Sequence, residues 1–456
     1  MRLLMIKNTI LILFFISFSC GSTVKETNEG DTGTLNELIE AGEAITRDSQ
    51  RDKKRTKKNP ETTMEVGEVT EIDAATRDIV VGANRIDQYL PLLRDQNIGV
   101  VANQTSVVNI ESKPTIMDGI RQANYEQLHL VDLLSNRGVS IQSVFAPEHG
   151  FRGTADAGET IKDGFDTKTG LPIISLYGAN KKPSKDQLAD IDVMVFDIQD
   201  VGARFYTYIS TLHYVMEACA EQGIRVIVLD RPNPNGHYID GPVLEPEHKS
   251  FVGMHPIPVV HGMTIGEYAK MINGEKWLAN GVQCELQVIE MDGYSHDSRY
   301  SLPVPPSPNL PNDTAINLYP SLCFFEGTFV SAGRGTNMQF QIFGAPSLPR
   351  EAYTFNFTPR ANEGAKNPKF KGELCHGTDL SEHPRLDRLN LEWLIEAYVA
   401  NGKKSNFFND FFTKLAGTKK LQRQIEQGYT YREIRKTWQA DLKEFATMRS
   451  KYLIYN

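Results

Sequence analysis

Glu148 has the neighbours a general acid needs. It sits in Val144-Phe-Ala-Pro-Glu-His-Gly-Phe-Arg-Gly-Thr-Ala-Asp-Ala-Gly-Glu159, where an apolar run stops at Pro147 and releases a Glu-His-Gly turn. Phe145, Phe151 and other apolar groups nearby would raise its pKa by desolvation. A carboxylic acid that keeps its proton near neutral pH can protonate a leaving oxygen. His149 and Arg152 could tune that acid or bind substrate. The same carboxylate could instead cap backbone amides of the turn. Asp156 and Glu159 have the spacing of a helix N-cap, so a structural role is expected for that pair.

Two further apolar runs end in polar groups. Val193 to Arg204 terminates in Asp197, Asp200 and Arg204, and Val226 to Asn235 in Asp230, Arg231, Asn233 and Asn235. One of the two aspartates is expected to pair with Arg204, Asp197 being the candidate. Asp200 is then the functional one, orienting water or partnering Glu148. Tyr206 and Tyr208 alternate and cannot both face a cleft; Tyr206 is the expected substrate contact. Asn233 and Asn235 lie in a proline-fixed loop and suit sugar hydroxyls or an acetamido group, although asparagine also stabilises turns. Arg334, between Gly333 and Gly335, could meet a ligand carboxylate bidentately.

Several chemistries have no signature in the sequence. G-x-G-x-x-G, Walker A, G-x-S-x-G and H-E-x-x-H are absent, and His149, His213, His255 and His261 are scattered rather than set at metal-ligand spacing. No metal or cofactor is expected. A net charge of -8 gives no basic face for nucleic acid.

The elements that must position these residues are strands and helices in alternation. Strands are expected at 98–102, 139–146, 193–198, 224–229 and 285–290. Helices are expected from Thr115 to Ile120 onward, over 128–137, over 205–222 up to Gly223, and after a Thr264-Ile-Gly-Glu267 capping box. Buried parallel strands read as continuous apolar runs, and ligands of open α/β sheets gather beyond their carboxyl ends. The fold class is therefore α/β: a Rossmann-like parallel sheet domain over 76–300, followed by a smaller α+β auxiliary domain over 301–456, with the active site in the cleft between them. The proline-rich segment Leu302 to Pro311 marks the boundary and holds Asn309 towards the cleft. The second region is expected to contain Phe329 to Gln341 and helices near 390–401 and 431–453.

The first 75 residues read differently. Arg2 and Lys7 precede the apolar stretch Ile10 to Ile16, and Cys20 follows a small residue, as in a bacterial lipoprotein signal. Residues 1–19 are expected to be cleaved and Cys20 lipidated. Residues 20–75, with the basic run Arg51 to Lys58, are expected to form a disordered tether. The expected location is the cell envelope, periplasmic or associated with the outer membrane. Cys219, Cys284, Cys323 and Cys375 are widely spaced, and Cys219 falls in a helical pattern where a buried thiol is expected.

In order along the chain, six motifs resemble the exo-β-N-acetylmuramidases of the NamZ type. They are Ala146 to Gly153, Asp197 to Tyr208, Asp230 to Gly236, Val260 to Glu267, Pro308 to Asn312, and Phe325 to Thr328 with Gly333 to Thr336. The resemblance spans about residues 77–456. It implies a Rossmann-like catalytic domain, a smaller auxiliary domain and a cleft between them. It also implies release of terminal N-acetylmuramic acid from the non-reducing end of peptidoglycan fragments, and hence peptidoglycan-derived muramic acid glycosides as the partners. Carried over, Glu148 is the catalytic carboxylate, and Arg204, Tyr206, His261, Asn309, Glu326 and Arg334 lie in motifs expected to line the cleft. Gln339 stands where the resemblance leads one to expect proline. Two alternatives from the residues alone stay open: a periplasmic amino-sugar receptor without turnover, and an amidase or esterase acting on peptidoglycan decorations.

Overall fold

Two apolar layers sandwich a parallel sheet, and the carboxyl ends of its strands open toward the C-terminal half of the chain. The computed structural model describes residues 79–117, 120–152 and 163–456. The signal, Cys20, the tether and the Asp156/Glu159 pair lie outside the described residues.

The seven-stranded sheet contains β1 (Asn97–Ala102), β4 (Ser140–Ala146), β5 (Gly164–Phe165), β6 (Pro172–Ser175), β7 (Val193–Asp197), β8 (Arg225–Leu229) and β9 (Leu286–Ile289). Its order is β5-β6-β4-β1-β7-β8-β9, parallel throughout except for the β5 edge. Every residue of β7 is buried, as a strand covered on both faces requires. Alternate side chains go to opposite layers. Val101, Phe145, Met194, Phe196, Val226 and Val228 join one core, whereas Ile98, Val100, Val144, Val195 and Ile227 join the other.

Between β1 and β4 the sequence reading needs correction. Thr115 to Ile120 does not start a helix; it belongs to a hairpin of β2 (Val107–Met117) and β3 (Ile120–His129), in which Met117 pairs with Ile120. The overlooked signal is Asp118-Gly119, a strong two-residue hairpin dipeptide between the apolar residues Met117 and Ile120. The first helical turn is α1 (Ile86–Tyr89), and α2 (Leu130–Asn136) follows the hairpin.

The crossover helices behave as their ends dictate. Helix α3 (Tyr208–Gln222) joins β7 to β8 and stops at Gly223, whose φ of 70° only glycine adopts cheaply. There the Ile224 and Gly223 amides donate to the Cys219 and Ala220 carbonyls, closing a Schellman motif. Helix α4 (Ile265–Gly274) begins with the expected Thr264/Glu267 capping box. Glu267 also accepts from His296 and from the Ile454 and Tyr455 amides, which fastens the C-terminal segment under the sheet.

The C-terminal half carries α5 (Asp313–Leu322) and a three-stranded antiparallel sheet, β10 (Ile342–Ala345), β12 (Cys375–Asp379) and β11 (Phe355–Phe357) in that order. Residues 329–341 are irregular. Helices α6 (Glu392–Ala400), α7 (Asp410–Ala416), α8 (Lys420–Glu426), α9 (Tyr431–Thr437) and α10 (Gln439–Arg449) complete the chain. The single helix expected over 431–453 is broken at Trp438, whose indole N–H donates to the buried Asp240 carboxylate at 3.0 Å. One apolar cluster runs from α3 and α4 through Leu310 and Phe324 to Phe445, so both halves share a core.

The proline-rich segment is tied rather than free. The Pro306 carbonyl accepts from Gln104 at 3.0 Å, Tyr206 at 2.9 Å and Tyr208 at 3.1 Å. Prolines remove the donors that would place this segment in a sheet, and the three side chains satisfy the acceptor that remains.

Candidate active site

Beyond β4 the chain turns sharply. The Gly150 amide donates to the Pro147 carbonyl at 3.0 Å, and His149 and Gly150 both adopt left-handed φ, 71° and 76°. A non-glycine residue there stores strain of about 1–3 kcal/mol, which the surrounding packing must hold. The turn puts Glu148 and His149 on the wall of a cleft of about 320 Å³. Thr207, the residue before α3, leaves its own helix uncapped and donates its hydroxyl to Glu148 Oε2 at 2.6 Å. Tyr177, just after β6, also hydrogen-bonds Glu148; burial first, and then that carboxylate, push its phenol well above the ordinary range.

The facing wall comes from the C-terminal half. Glu326, in the 3-10 turn Cys323–Gly327, accepts from Arg334 at 3.1 Å. Arg334 is carried by Gly333 and Gly335, with φ of 78° and 81°. A side chain on Gly335 would also collide with Pro368. Arg334 additionally donates to the Gly364 carbonyl at 3.2 Å. Asn309, on the proline-rich segment, donates to that carbonyl at 2.7 Å, and its own amide oxygen is buried without a partner. An unsatisfied buried acceptor costs about 1–3 kcal/mol. Tyr206 lines the cleft with its ring while its hydroxyl holds Pro306.

The structure thus brings Glu148, His149, Tyr206, Asn309, Glu326 and Arg334 to one cleft. It sends the others elsewhere. Asp197 does not pair with Arg204. It binds Arg231 bidentately, at 2.6 and 2.9 Å, with both residues buried. Arg204 is a substrate ligand in the sequence reading but has no exposed surface, and it donates to the carbonyls of Pro242, Ile257, Leu415 and Ala416. Burial pushes its guanidinium down to about 9.

Asp200 is not on the cleft wall among the described residues. Its Oδ2 accepts from the Gly202 amide at 2.7 Å, and burial pushes its carboxyl up to about 7. His261, fully buried, lies 3.7 Å from that oxygen, and burial pushes it down to about 3. Asn233 spends its amide on the Met263 carbonyl and the Asn235 amide, fixing the loop after β8. Arg152 pairs with Asp166 at 2.8 Å and covers the Phe151 ring. Most of these side chains found a partner from a distant segment, which the sequence does not display.

Residues outside the sequence reading include Thr207, Tyr177, Phe251 and Lys369. Lys369 donates to the carbonyls of Phe325 and Thr328, both at 2.8 Å, and fastens the turn bearing Glu326; burial pushes it down to about 8. Thr207 stands beside the recognised Tyr206 and was in reach of the reading; the other three come from distant segments. Cys219, Cys284, Cys323 and Cys375 are buried free thiols.

Glu148, at the carboxyl end of a parallel sheet, thus faces Glu326 and Arg334 across a cleft of about 320 Å³. Residues 98–314 match the N-terminal region, and residues 317–455 the C-terminal region, of the exo-beta-N-acetylmuramidase NamZ family. The chain is 37% identical over 396 residues to the peptidoglycan beta-N-acetylmuramidase NamZ of Bacillus subtilis, covering 81% of this chain and 89% of that protein. Two crystal structures of DUF1343 family proteins from Bacteroides fragilis are also similar. One is 42% identical with a TM-score of 0.73, the other 27% identical with a TM-score of 0.68; each alignment covers 83% of this chain and 99% of the other. The chain belongs to the exo-β-N-acetylmuramidase family and is a glycoside hydrolase.

Proposed function

We propose that this enzyme releases terminal N-acetylmuramic acid from the non-reducing end of peptidoglycan fragments, with Glu148 as general acid and base. The observation that carries the assignment is a glutamate aimed into the cleft from a strained turn, one oxygen held by Thr207. Asn309 on the cleft wall has the amide chemistry that suits an acetamido group or a sugar hydroxyl. Arg334 is the cleft arginine that a lactyl carboxylate would meet, shared with Glu326. With Asp200 outside the cleft, Glu326 is the other carboxylate on its described wall. Participation by the substrate's own acetamido group would remove the need for a second protein carboxylate.

Digestion of a muramic acid–glucosamine disaccharide tests the reading. Wild type should release N-acetylmuramic acid, and Glu148→Gln should lose about 10²–10⁴ in turnover while still binding the disaccharide. A wild type that binds the sugar without cleaving it would instead be a receptor, and mass spectrometry of the products would reveal an amidase or esterase.

The N-terminal sequence supports an envelope lipoprotein with its lipid on Cys20 and a tether over 20–75. Labelling with an alkyne fatty acid should mark wild type and fail on Cys20→Ala. The division into 76–300 and 301–456 rests on the proline-rich segment that bridges the two walls.

A further inference from the structure

Phe251 and Val252 occupy the tip of a tight turn closed by the Ser250 and Gly253 backbones, which exchange hydrogen bonds of 2.8 and 3.1 Å. Turn tips favour glycine, asparagine, aspartate and proline. A phenylalanine followed by a β-branched valine breaks that rule, and broken local rules gather at functional sites. Both side chains line the cleft. The Phe251 carbonyl is pinned by the Ser210 hydroxyl at 2.7 Å, and Gly253 leaves no room for a side chain that would not press on Leu244. The ring lies parallel to Tyr214 within 17° and 6.0 Å from Tyr177. The Lys181 ammonium stands 4.8 Å from the centre of the half-buried ring, a contact weak enough to yield to a ligand. The fold has thus fixed an aromatic surface at the edge of the cleft.

Its position gives it a side of the scissile bond. Tyr177 touches both Glu148 and the Phe251 ring, so the surface begins on the flank of the proposed acid. Arg334 and Asn309, which suit the charged and acetamido groups of muramic acid, belong to the facing wall. The group protonated by the acid departs on the acid's flank.

We propose that Phe251, backed by Tyr177 and Tyr214, is the platform for the leaving sugar, an uncharged hexosamine that lays its apolar C–H face on the ring. The assignment rests on Glu148 being the general acid. Phe251 acts as a specificity residue, because the platform meets the aglycone and leaves the muramic acid site untouched.

The test uses the purified full-length chain, the muramic acid–glucosamine disaccharide, and inhibition by each product separately. Phe251→Ala should raise KM for the disaccharide about fivefold to tenfold, the scale of a lost ring contact. It should weaken inhibition by N-acetylglucosamine to a similar degree and leave inhibition by N-acetylmuramic acid within twofold. Phe251→Tyr keeps the platform and should restore all three values. Retained inhibition by N-acetylmuramic acid also shows that the variant cleft is folded. An unchanged KM, or equal weakening of both inhibitors, overturns the platform while wild type still turns over and Glu148→Gln does not. A wild type that cleaves nothing overturns the acid assignment first, and the platform with it.

Discussion

Two strand ends carry acids in similar local settings. Glu148 follows β4, and Asp197 and Asp200 close β7. After β4, proline and a left-handed histidine throw the chain outward, and the glutamate meets the Thr207 and Tyr177 hydroxyls at the cleft. After β7, the first acid is locked onto Arg231 and the second is sealed above His261. Two strands of one sheet, flanking β1, therefore serve opposite ends, one turning acidity toward solvent and the other using charge to weld loops. An acid at a strand end is evidence for a site only once its partner is known.

The sharpest way to break this contrast is reciprocal substitution. Asp197→Ala leaves Arg231 buried without its counter-charge and should cost about 3–5 kcal/mol of stability. Glu148→Gln should leave the melting temperature nearly unchanged while abolishing turnover. Calorimetry and activity on the same samples decide; a Glu148 variant that unfolds, or an Asp197 variant as stable as wild type, removes the distinction.

Asp200→Asn probes the sealed acid by pH. Its folded pKa of about 7 lies above the unfolded value of about 3.9, so its contribution is complete below about pH 4 and is lost as pH rises through 7. The variant lacks this titration. Its melting temperature relative to wild type should climb between about pH 4 and 7 and then level off, with turnover retained. A flat difference across that window would place the Asp200 carboxyl in a wetter setting. His261 runs the other way: its pKa, depressed to about 3, confers stability above about pH 6.5 that fades as pH falls toward 3.

Thr207→Val is the mildest test. Removing the hydroxyl that steadies Glu148 Oε2 should lower kcat about threefold to tenfold with KM little changed, on the scale of one hydrogen bond. Thr207→Ser should recover most of the loss. If valine raises KM alone, the threonine belongs to substrate binding and not to the acid.

Much of the scaffold was legible. Continuous apolar runs marked the parallel strands, Gly223 the end of α3, and Thr264 with Glu267 the start of α4, because strand burial, left-handed φ and capping are set by residues a few positions apart. The same logic missed the hairpin around Asp118-Gly119, where helix-like spacing outweighed a turn dipeptide. It also ran 431–453 as one helix, because the Trp438 contact with Asp240 comes from almost 200 residues away. In the site, Glu148, Asn309 and Arg334 were legible from the glycine and proline signals around them, whereas Glu326 was reached through motif resemblance. Arg204, Asn233 and His261 stand in equally recognisable motifs, yet they hold the fold together.

The amino-acid sequence alone determined the alternation of strands and helices, the turn that bears Glu148 and the family to which the chain belongs, since each depends on neighbouring residue types. Tertiary structure decided which charged side chains are work surfaces and which are rivets. That choice depends on burial and on partners brought together from distant segments, as when four carbonyls close around Arg204 or a turn tip carries Phe251 to the edge of the cleft.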